Sequence, residues 1–517
     1  MKLKLFLNLL ILLMVVGSAS CKKKPATDDR GKYPIDSTQF DAFFQKHPDF
    51  KDYRENMFAL YRKYGYKYIW YDDDGRNEVA DALYNRARQI EAEGVPVPLP
   101  YKEQYEELFE RDSKRPKLDN ELLITSMYFF YAKKVYAGVE PSKSKKTEWF
   151  LPRERIALVN YLDELLKDPD KIVQDDDTNP KMYYNLRKAL QRYREIKKNG
   201  GWEKITLPDG VKSLKPGDNS PAVAQLRKRL AITGEFENDN GSTEYDKTLV
   251  DAVKNWQTRN GLNPDGIVGP EMISALNVPV EQRIKTIIVN MERCRWLPNK
   301  ISDLDEYIGV NIPSYGMRYV KDGKTALESK VIVGDEANKT VVFSGNMSYL
   351  VFSPYWNVPK SIVEEEIMPA LEKDPDYLEK HNMEWNGKQL RQRPSDENSL
   401  GRVKFMFPNR NNIYLHDTPA KSLFRKEDRA LSHGCIRVQK ARDLAVKILE
   451  DDKAWTPEKI DRAMKSDEEQ QYALKRKIPV YIAYFTAVAD ENGIVAFFED
   501  IYKRDNRLAH LLYAEKV

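Results

Sequence analysis

Cysteine and histidine are scarce in this chain, and their scarcity limits the chemistry that it can perform. The 517 residues include three cysteines and five histidines, and no group of them has the spacing of zinc ligands. We therefore expect no metal site and no cofactor. Cys294 and Cys435 could form one disulfide in an oxidising compartment. Cys294 lies in a helix-like segment and is expected to be a buried structural thiol.

The chain also lacks a strong charge of one sign and a long apolar run at its N-terminus. Its 84 Lys and Arg nearly balance 80 Asp and Glu, so the charge does not point to a nucleic acid partner. The apolar stretch at residues 5–16, which Asn8 interrupts, is shorter than the ~20 residues of a membrane-spanning helix. A hydrophobic share of 41% is typical of a soluble globular protein, and the length predicts two to four domains.

The N-terminus has the order of an export signal, and fold reasoning starts after residues 1–21. Two lysines precede the apolar stretch, and small residues precede Cys21. This order resembles a lipobox, which makes Cys21 the acylated first residue of a periplasmic lipoprotein that touches the membrane only through its lipid. The position three before the cysteine is Ser18 rather than leucine, so simple cleavage and an uncleaved anchor stay open. Residues 22–36 are polar and predict a tether.

Residues 37–205 predict a helical domain. Apolar segments at 122–135 and 183–196 indicate two helices. A further helix is indicated by apolar residues at helical spacing, namely Val79, Leu83, Ala87 and Ile90. The acidic run at 72–74 precedes a glycine and predicts a solvated turn rather than a metal site.

Residues 212–278 predict a separate module of three helices. Apolar stripes mark the first two helices, with Val223, Leu226 and Leu230 in one and Leu249, Ala252, Val253 and Trp256 in the other. Gly261 can end the second helix, and Pro270 can begin the third. Residues 279–300 follow as an amphipathic connector helix.

Residues 301–490 change to a pattern of short strands rich in β-branched and aromatic residues. The expected strands are Tyr307–Pro313, Met317–Val320, Ser329–Val333, Val341–Ser344, Tyr349–Phe352, Val403–Phe407, Ile413–His416 and Pro479–Phe485. A charged insert at about 360–400 interrupts them, helical at first over 361–372, and long inserts beside a site are often lids. Residues 491–517 are expected to pack on this mostly β domain.

One short stretch carries the chemistry, the segment at 432–438 with sequence SHGCIRV. A cysteine with a histidine brought near it can act as a nucleophile and its base, and His416 lies sixteen residues before the start of the stretch. Gly434 lets the backbone turn tightly, so that consecutive N–H groups can face a developing oxyanion. The alternative is an inert buried cysteine, and the polar residues around Cys435 argue against it.

This arrangement resembles the L,D-transpeptidases with a YkuD-type catalytic domain, whose motif is a histidine, a gap of roughly fifteen residues and then Ser/Thr-His-Gly-Cys. The series AVKNWQTRNGLNPDGIVGPEMISAL at 252–276 resembles a three-helix peptidoglycan-binding module, and the helical region is similar to the scaffold domain of the larger members. The resemblance implies a multi-domain α+β fold. It consists of a mostly β YkuD-like catalytic sandwich, the peptidoglycan-binding-like module and a helical N-terminal scaffold domain.

The resemblance also implies roles for the catalytic residues. Cys435 is the expected nucleophile and His416 the proton acceptor and donor. The N–H groups of Gly434 and Cys435 are the expected oxyanion donors, and His433 is expected to support the thiolate. His416 needs an orienting acceptor, and the sequence leaves open whether this is the backbone carbonyl or the side chain of Asp417.

Four residues are expected to contact substrate. Arg437 could hold a carboxylate in a bidentate fork, with a surface salt bridge as the alternative. Tyr414 and Trp356 are expected in the cleft wall or, equally, in the core, and Ser432 beside the nucleophile.

The implied reaction joins two peptidoglycan peptide stems by a 3→3 cross-link through a cysteine thioester formed on a tetrapeptide stem, and carbapenems are the implied inhibitors. L,D-carboxypeptidase or hydrolase activity on the same linkage is one alternative. A non-catalytic peptidoglycan-binding lipoprotein is another. The sequence shows no acceptor pocket, and it leaves open whether the module at 212–278 binds glycan.

Overall fold

The computed structural model describes residues 33–514 except 73–74, 111–116, 154–155, 169–170, 172–177 and 238. The predicted signal peptide, Cys21, most of the tether and part of the acidic turn at 72–74 lie outside the described residues. Within the described ranges, no helix is both long enough and apolar enough to cross a membrane.

Most of the helices lie before the catalytic domain, and the others lie within it or at its C-terminal end. The α-helices are Phe40–Lys46, Arg54–Lys63, Glu78–Ala87, Lys102–Glu110, Leu118–Ala132, Pro141–Lys146, Leu158–Lys167, Lys181–Lys198, Pro221–Thr233, Lys247–Arg259, Pro270–Leu276, Val280–Cys294, Lys360–Ile362, Met368–Lys373, Tyr377–Lys380, Ala441–Leu449, Pro457–Met464 and Asp505–Ala514. Lys133–Ala137 and Val363–Ile367 are π-helical. The 3₁₀ segments are Ser37–Gln39, Pro48–Tyr53, Ile90–Glu93, Asn299–Asp303 and Lys421–Arg425.

The N-terminal helices surround Leu118–Ala132, which is apolar on every side and has residues 121–132 all buried. Helix Lys181–Lys198, expected within residues 37–205, contacts both the N-terminal region and the catalytic domain. Its Tyr183 hydroxyl donates to the Glu93 side chain at 2.8 Å, and its buried residues share a core with helix Val280–Cys294 and the catalytic sheet. The apolar stripe of this helix shows that one face is buried, but it does not identify the partner.

The three-helix module has its own small core, in which Leu226, Leu249, Trp256 and Leu276 are among the buried residues. Hydrogen bonds fix the module against the catalytic domain. The Asn260 side chain accepts from the N–H of Phe497 at 2.9 Å, and the Asn263 amide donates to the carbonyl of Arg425 at 3.2 Å.

The strands, numbered in chain order, are β1 Tyr71–Asp72, β2 Gly75–Arg76, β3 Tyr307–Asn311, β4 Gly316–Lys321, β5 Lys324–Gly334, β6 Phe343–Phe352, β7 Trp356–Asn357, β8 Met383–Asn386, β9 Gln389–Gln392, β10 Val403–Met406, β11 Leu415–His416, β12 Ala430–Ser432, β13 Ile436–Val438, β14 Gln470–Ala483, β15 Ala487–Ala489 and β16 Val495–Phe497. Nine of them form one sheet in the order β12-β5-β13-β11-β10-β6-β14-β3-β4. Because β4 also pairs with β5, the sheet closes on itself around the catalytic core.

Two strand expectations need correction. Val341–Ser344 and Tyr349–Phe352 were expected as separate strands, but β6 runs unbroken from Phe343 to Phe352. Strand β14 is longer than expected and pairs with β6 on both sides of a register shift between Ala473 and Ile478. The one long partner strand β14 runs beside both of the expected segments, a context that local sequence does not contain.

The charged insert is a small folded unit. A three-stranded sheet, β7-β9-β8, packs with the preceding helical turns around a core that includes Val358, Ile362, Ile367 and Leu390. The expected continuous helix at 361–372 contains the π-helical segment Val363–Ile367. Segments of this kind are frequent at functional sites.

Candidate active site

Strands β11 and β13 bring the predicted histidine and cysteine together. They pair in parallel, with Leu415 opposite Ile436 and His416 opposite Arg437. The Ile436 N–H donates to the carbonyl of Tyr414 at 3.1 Å, which extends the ladder to the level of Cys435. Leu415 and Ile436 are buried in the core. Side chains alternate along strands, so the residues on either side of these two, including His416 and Cys435, share the opposite face of the sheet.

The turn before Cys435 depends on glycine. Gly434 has φ +101°, a conformation that side chains disfavour, and its carbonyl accepts from Thr340 Oγ1 at 2.9 Å. The Gly434 N–H donates to Ser432 Oγ at 3.2 Å. The Ser432 hydroxyl in turn donates to the Cys435 carbonyl at 2.6 Å. In this conformation the Gly434 N–H is engaged within the turn, so its role as an oxyanion donor stays a prediction.

His416 is buried and is oriented by the backbone. Its Nδ1 lies 2.5 Å from the carbonyl oxygen of Asp417, and because a carbonyl only accepts, Nδ1 carries the proton and Nε2 is the basic nitrogen. Burial, with a smaller contribution from the charge of Arg437, lowers the pKa of His416 to about 3. The Asp417 side chain binds elsewhere, to Lys421 Nζ at 2.5 Å and the N–H of Arg402 at 3.0 Å.

Cys435 is a free, partly exposed thiol. Its Sγ lies 3.6 Å from the carbonyl oxygen of Asn412, to which the thiol donates. Burial raises the pKa of the thiol, and hydrogen bonding to Tyr414 and the charges of Lys404 and Arg437 oppose this rise without cancelling it. Both shifts favour a neutral thiol and a neutral imidazole over a thiolate–imidazolium ion pair.

Three models of known families match the chain. The model described as "L,D-transpeptidase catalytic domain" matches residues 305–460. The "Scaffold domain" model matches residues 55–190, and the "Putative peptidoglycan binding domain" model matches residues 219–276. Residues 305–460 are a YkuD-type L,D-transpeptidase catalytic domain.

A curated relative is named for the same enzyme class. The Haemophilus influenzae protein named "Putative L,D-transpeptidase" is 34% identical over 243 residues, which cover 43% of this chain and 48% of the relative. The chain thus matches about half the length of this L,D-transpeptidase relative.

Solved L,D-transpeptidase structures are also similar to the chain, at low identity. The Xylanimonas cellulosilytica enzyme is 15% identical, with 53% of this chain and 100% of that chain covered and a TM-score of 0.18. The Mycobacterium smegmatis enzyme is 13% identical, with coverages of 34% and 58% and a TM-score of 0.20. The Stackebrandtia nassauensis enzyme is 13% identical, with coverages of 52% and 94% and a TM-score of 0.23. The assignment of the L,D-transpeptidase domain rests on the family matches.

Arg437 and Tyr414 both lie beside His416. Arg437 is directly opposite His416 and forms no salt bridge with any carboxylate among the described residues. The Tyr414 ring lies 5.7 Å from the His416 ring in an edge-on arrangement. An unpaired guanidinium beside His416 is suited to hold a carboxylate.

The structure also defines the surroundings of three other predicted residues, and for Trp356 they match the core alternative. Ser432 is buried and its hydroxyl belongs to the turn, so it is not available to a ligand. Trp356 packs against the small core of the insert. His433 is exposed, and its Nε2 lies 3.0 Å from Glu366 Oε1 of the insert. The insert therefore reaches the residue two positions before Cys435.

Sequence reasoning missed Lys404, Asn412 and Glu366. Lys404 on β10 is directly opposite His416, and its Nζ lies 4.7 Å from the centre of the Tyr414 ring. In the sequence, Lys404 could have been noticed as a lysine between two apolar strand residues, Val403 and Phe405, which the structure shows to be buried. Asn412 has φ +54°, a conformation that asparagine tolerates better than most residues. Glu366 carried no signal, because nothing in the local sequence connects it with His433.

Proposed function

We propose that the chain is a peptidoglycan L,D-transpeptidase that forms 3→3 cross-links through a thioester on Cys435. The observation that carries the proposal is the placement of Cys435 and His416 on one face of adjacent strands, with His416 Nδ1 held by a backbone carbonyl and Nε2 basic. The family matches give the substrate class, because peptidoglycan is the polymer on which this enzyme class acts.

The first half-reaction forms the thioester. His416 Nε2 accepts the thiol proton as Cys435 Sγ attacks the carbonyl between diaminopimelate and D-Ala of a tetrapeptide stem. The C–N bond breaks, the same proton passes to the amine, and D-Ala leaves. The proton must move during attack, since the resting thiol and imidazole are both neutral. The Cys435 N–H is the remaining oxyanion donor while the Gly434 N–H is bound to Ser432.

The second half-reaction forms the cross-link. The side-chain amine of a second diaminopimelate attacks the thioester, an amide forms, and the C–S bond breaks with the proton returned to the thiol. The thioester conserves the energy of the cleaved peptide bond, so no nucleotide is needed. Arg437 would hold a stem carboxylate near the reacting carbonyl. This charge pairing would also reduce the depression of the His416 pKa and make the base stronger when substrate is bound.

Location and binding are part of the same proposal. A substrate outside the cytoplasm fits the predicted export signal and Cys21 lipid anchor, with the tether at 22–36 between lipid and enzyme. The module at 219–276 would keep the enzyme on the wall.

The test is incubation of the purified protein with disaccharide-tetrapeptide, followed by mass spectrometry of the products. A cross-linked dimer with D-Ala release supports transpeptidation. Tripeptide alone would assign a carboxypeptidase, and unaltered substrate that binds the protein would assign a binding lipoprotein.

A further inference from the structure

A large groove lies between the peptidoglycan-binding-like module and the outer face of the catalytic sheet. Its volume is about 860 Å³. The module contributes Arg259, Gly261 and Leu262, and the sheet contributes residues from β3, β4, β5 and β14. The hydrogen bonds from Asn260 and Asn263 described above fix the two walls relative to each other. The groove is therefore formed by the packing of the two domains and does not belong to either of them alone.

One end of the groove is adjacent to the catalytic loop. Gln439 and Lys440 line it, and they directly follow strand β13, which begins after Cys435. The Gln439 N–H donates to the carbonyl of Lys330, another lining residue, at 3.0 Å. At about 3.3 Å per residue, Gln439 lies on the order of 13 Å from Cys435 along the strand, which is comparable to the length of an extended tetrapeptide.

This end of the groove carries cations that have no carboxylate partner. Lys330, Arg429 and Lys440 line it, and none forms a salt bridge with a carboxylate that the structure describes. Arg429 is 2% exposed, its guanidinium lies 4.9 Å from the centre of the Tyr315 ring, and its Nε has no hydrogen-bond partner among the described residues. Burial lowers the pKa of Arg429, and burial and the charge of Arg429 lower that of Lys330.

The carboxylates near the groove have other close partners, although Glu427 and Asp428 also attract Arg429 electrostatically. Glu328 pairs with Arg318 at 3.2 Å, and Asp428 accepts from the Tyr315 hydroxyl at 2.8 Å. The hydrogen bond with Glu271, together with burial, raises the pKa of Glu427 to about 7. Because none of these carboxylates forms a salt bridge with Lys330, Arg429 or Lys440 among the described residues, the three cations can still pair with an anionic ligand.

We infer that this groove binds the acceptor stem, a peptidoglycan peptide whose carboxylates pair with Lys330, Arg429 and Lys440. The inference rests on the proposed function, which requires two stems, each with its own carboxylates. Arg437 accounts for the donor stem, and the groove supplies a separate anionic subsite that extends away from the nucleophile. A stem held there presents its side-chain amine to the thioester, and the amide forms as the C–S bond breaks.

The product ratio distinguishes acceptor binding from donor binding. The thioester is consumed either by the acceptor amine, which gives dimer, or by water, which gives a tripeptide carboxylate and the free thiol. In Lys330→Gln/Lys440→Gln we expect the dimer-to-tripeptide ratio to fall about 10-fold or more, since one charge-assisted contact is typically worth that factor. Lys453→Gln, an exposed lysine outside the groove, is the control and should keep the wild-type ratio.

The affinity of the protein for peptide stems can be measured without turnover. Calorimetry of disaccharide-tetrapeptide with Cys435→Ala protein should show two sites, and the double lysine variant should weaken one of them about 10-fold. Arg429→Gln should do the same if it folds, but the test does not depend on this buried residue.

Failure of the inference and failure of the proposed function are distinguishable. Unchanged binding and an unchanged ratio in the double lysine variant would overturn the inference while wild-type cross-linking stood. A fall in D-Ala release at constant ratio would place the donor in the groove and also overturn it. A wild-type protein that binds stems in the groove but never releases D-Ala would contradict the proposed function alone.

Discussion

His433 Nε2 and Glu366 Oε1 lie 3.0 Å apart and join the insert to the catalytic turn. Both side chains are about half exposed, so the contact contributes only about 0–1 kcal/mol. A contact this weak would let the insert move away from His433, as the lid expected from the sequence requires.

The first prediction concerns this contact. Glu366→Gln should leave the melting temperature nearly unchanged but raise amide hydrogen exchange at residues 360–373 by up to roughly fivefold, the factor for about 1 kcal/mol. Glu365→Gln changes a neighbouring exposed carboxylate and serves as the control. Equal exchange in the two variants would mean that the pair does not restrain the insert.

The second prediction concerns the protonation state of Cys435. Because burial raises the pKa of the thiol and lowers that of His416 to about 3, iodoacetamide should alkylate Cys435 faster as pH rises from 6 to 9, with no plateau at low pH. A plateau below pH 7 would instead indicate a preformed thiolate–imidazolium pair and would contradict the direction of these two pKa shifts.

The depressed pKa of His416 also makes the free energy of unfolding depend on pH. The folded pKa of His416 lies below its unfolded value of about 6.5, so neutral His416 contributes stability that is present above about pH 6.5 and lost as pH falls toward 3. His416→Ala should reduce this pH dependence in denaturant titrations. It should also lower the acylation rate by roughly 100-fold or more, the usual scale for a lost general base.

The third prediction is a covalent adduct with a carbapenem on Cys435. A strained acyl donor placed before this thiol should add once to the wild-type protein and not to Cys435→Ala, as measured by intact-protein mass. Cys294 is an internal control, because it is fully buried and burial raises its pKa strongly. An equal mass shift in Cys435→Ala would exclude Cys435 as the nucleophile.

The fourth prediction concerns Arg437. Arg437→Ala should reduce kcat/KM for tetrapeptide stems by about 10- to 100-fold, because it removes a carboxylate contact and the positioning of the scissile carbonyl. Arg437→Lys should restore only part of the loss, since a point charge cannot reproduce the fork. Arg442→Ala, which removes an exposed guanidinium paired with Asp461, is the control. Wild-type kinetics from Arg437→Ala would leave Arg437 without a substrate role.

The fifth prediction concerns the anchor. Cys21→Ala should move the protein from the membrane fraction to the soluble periplasmic fraction and leave the activity of the purified enzyme unchanged, because only the acylated residue is altered. Fractionation with immunodetection measures this. A mutant that stays on the membrane after signal cleavage would disprove the lipobox interpretation.

The sequence predicted the fold class and the catalytic motif because their signals are local. The multi-domain α+β organisation with a mostly β catalytic domain is confirmed, and the family matches agree with it. Gly434 at positive φ and the buried thiol of Cys294 also appear as expected. The domain boundaries and the catalytic roles stay predictions.

By itself, the sequence determined which residues could react: a scarce cysteine, a glycine that permits the turn before it, and a histidine at a characteristic distance. Only the tertiary structure decided how they meet. The parallel pairing of β11 with β13 places His416 beside Arg437, and the antiparallel pairing with β10 adds Lys404. His416 is oriented by the Asp417 carbonyl rather than by the Asp417 side chain, because that side chain binds Lys421 and the N–H of Arg402. These contacts join residues far apart in the chain, and periodicity and spacing carry no information about which distant partner a face will bury or bind.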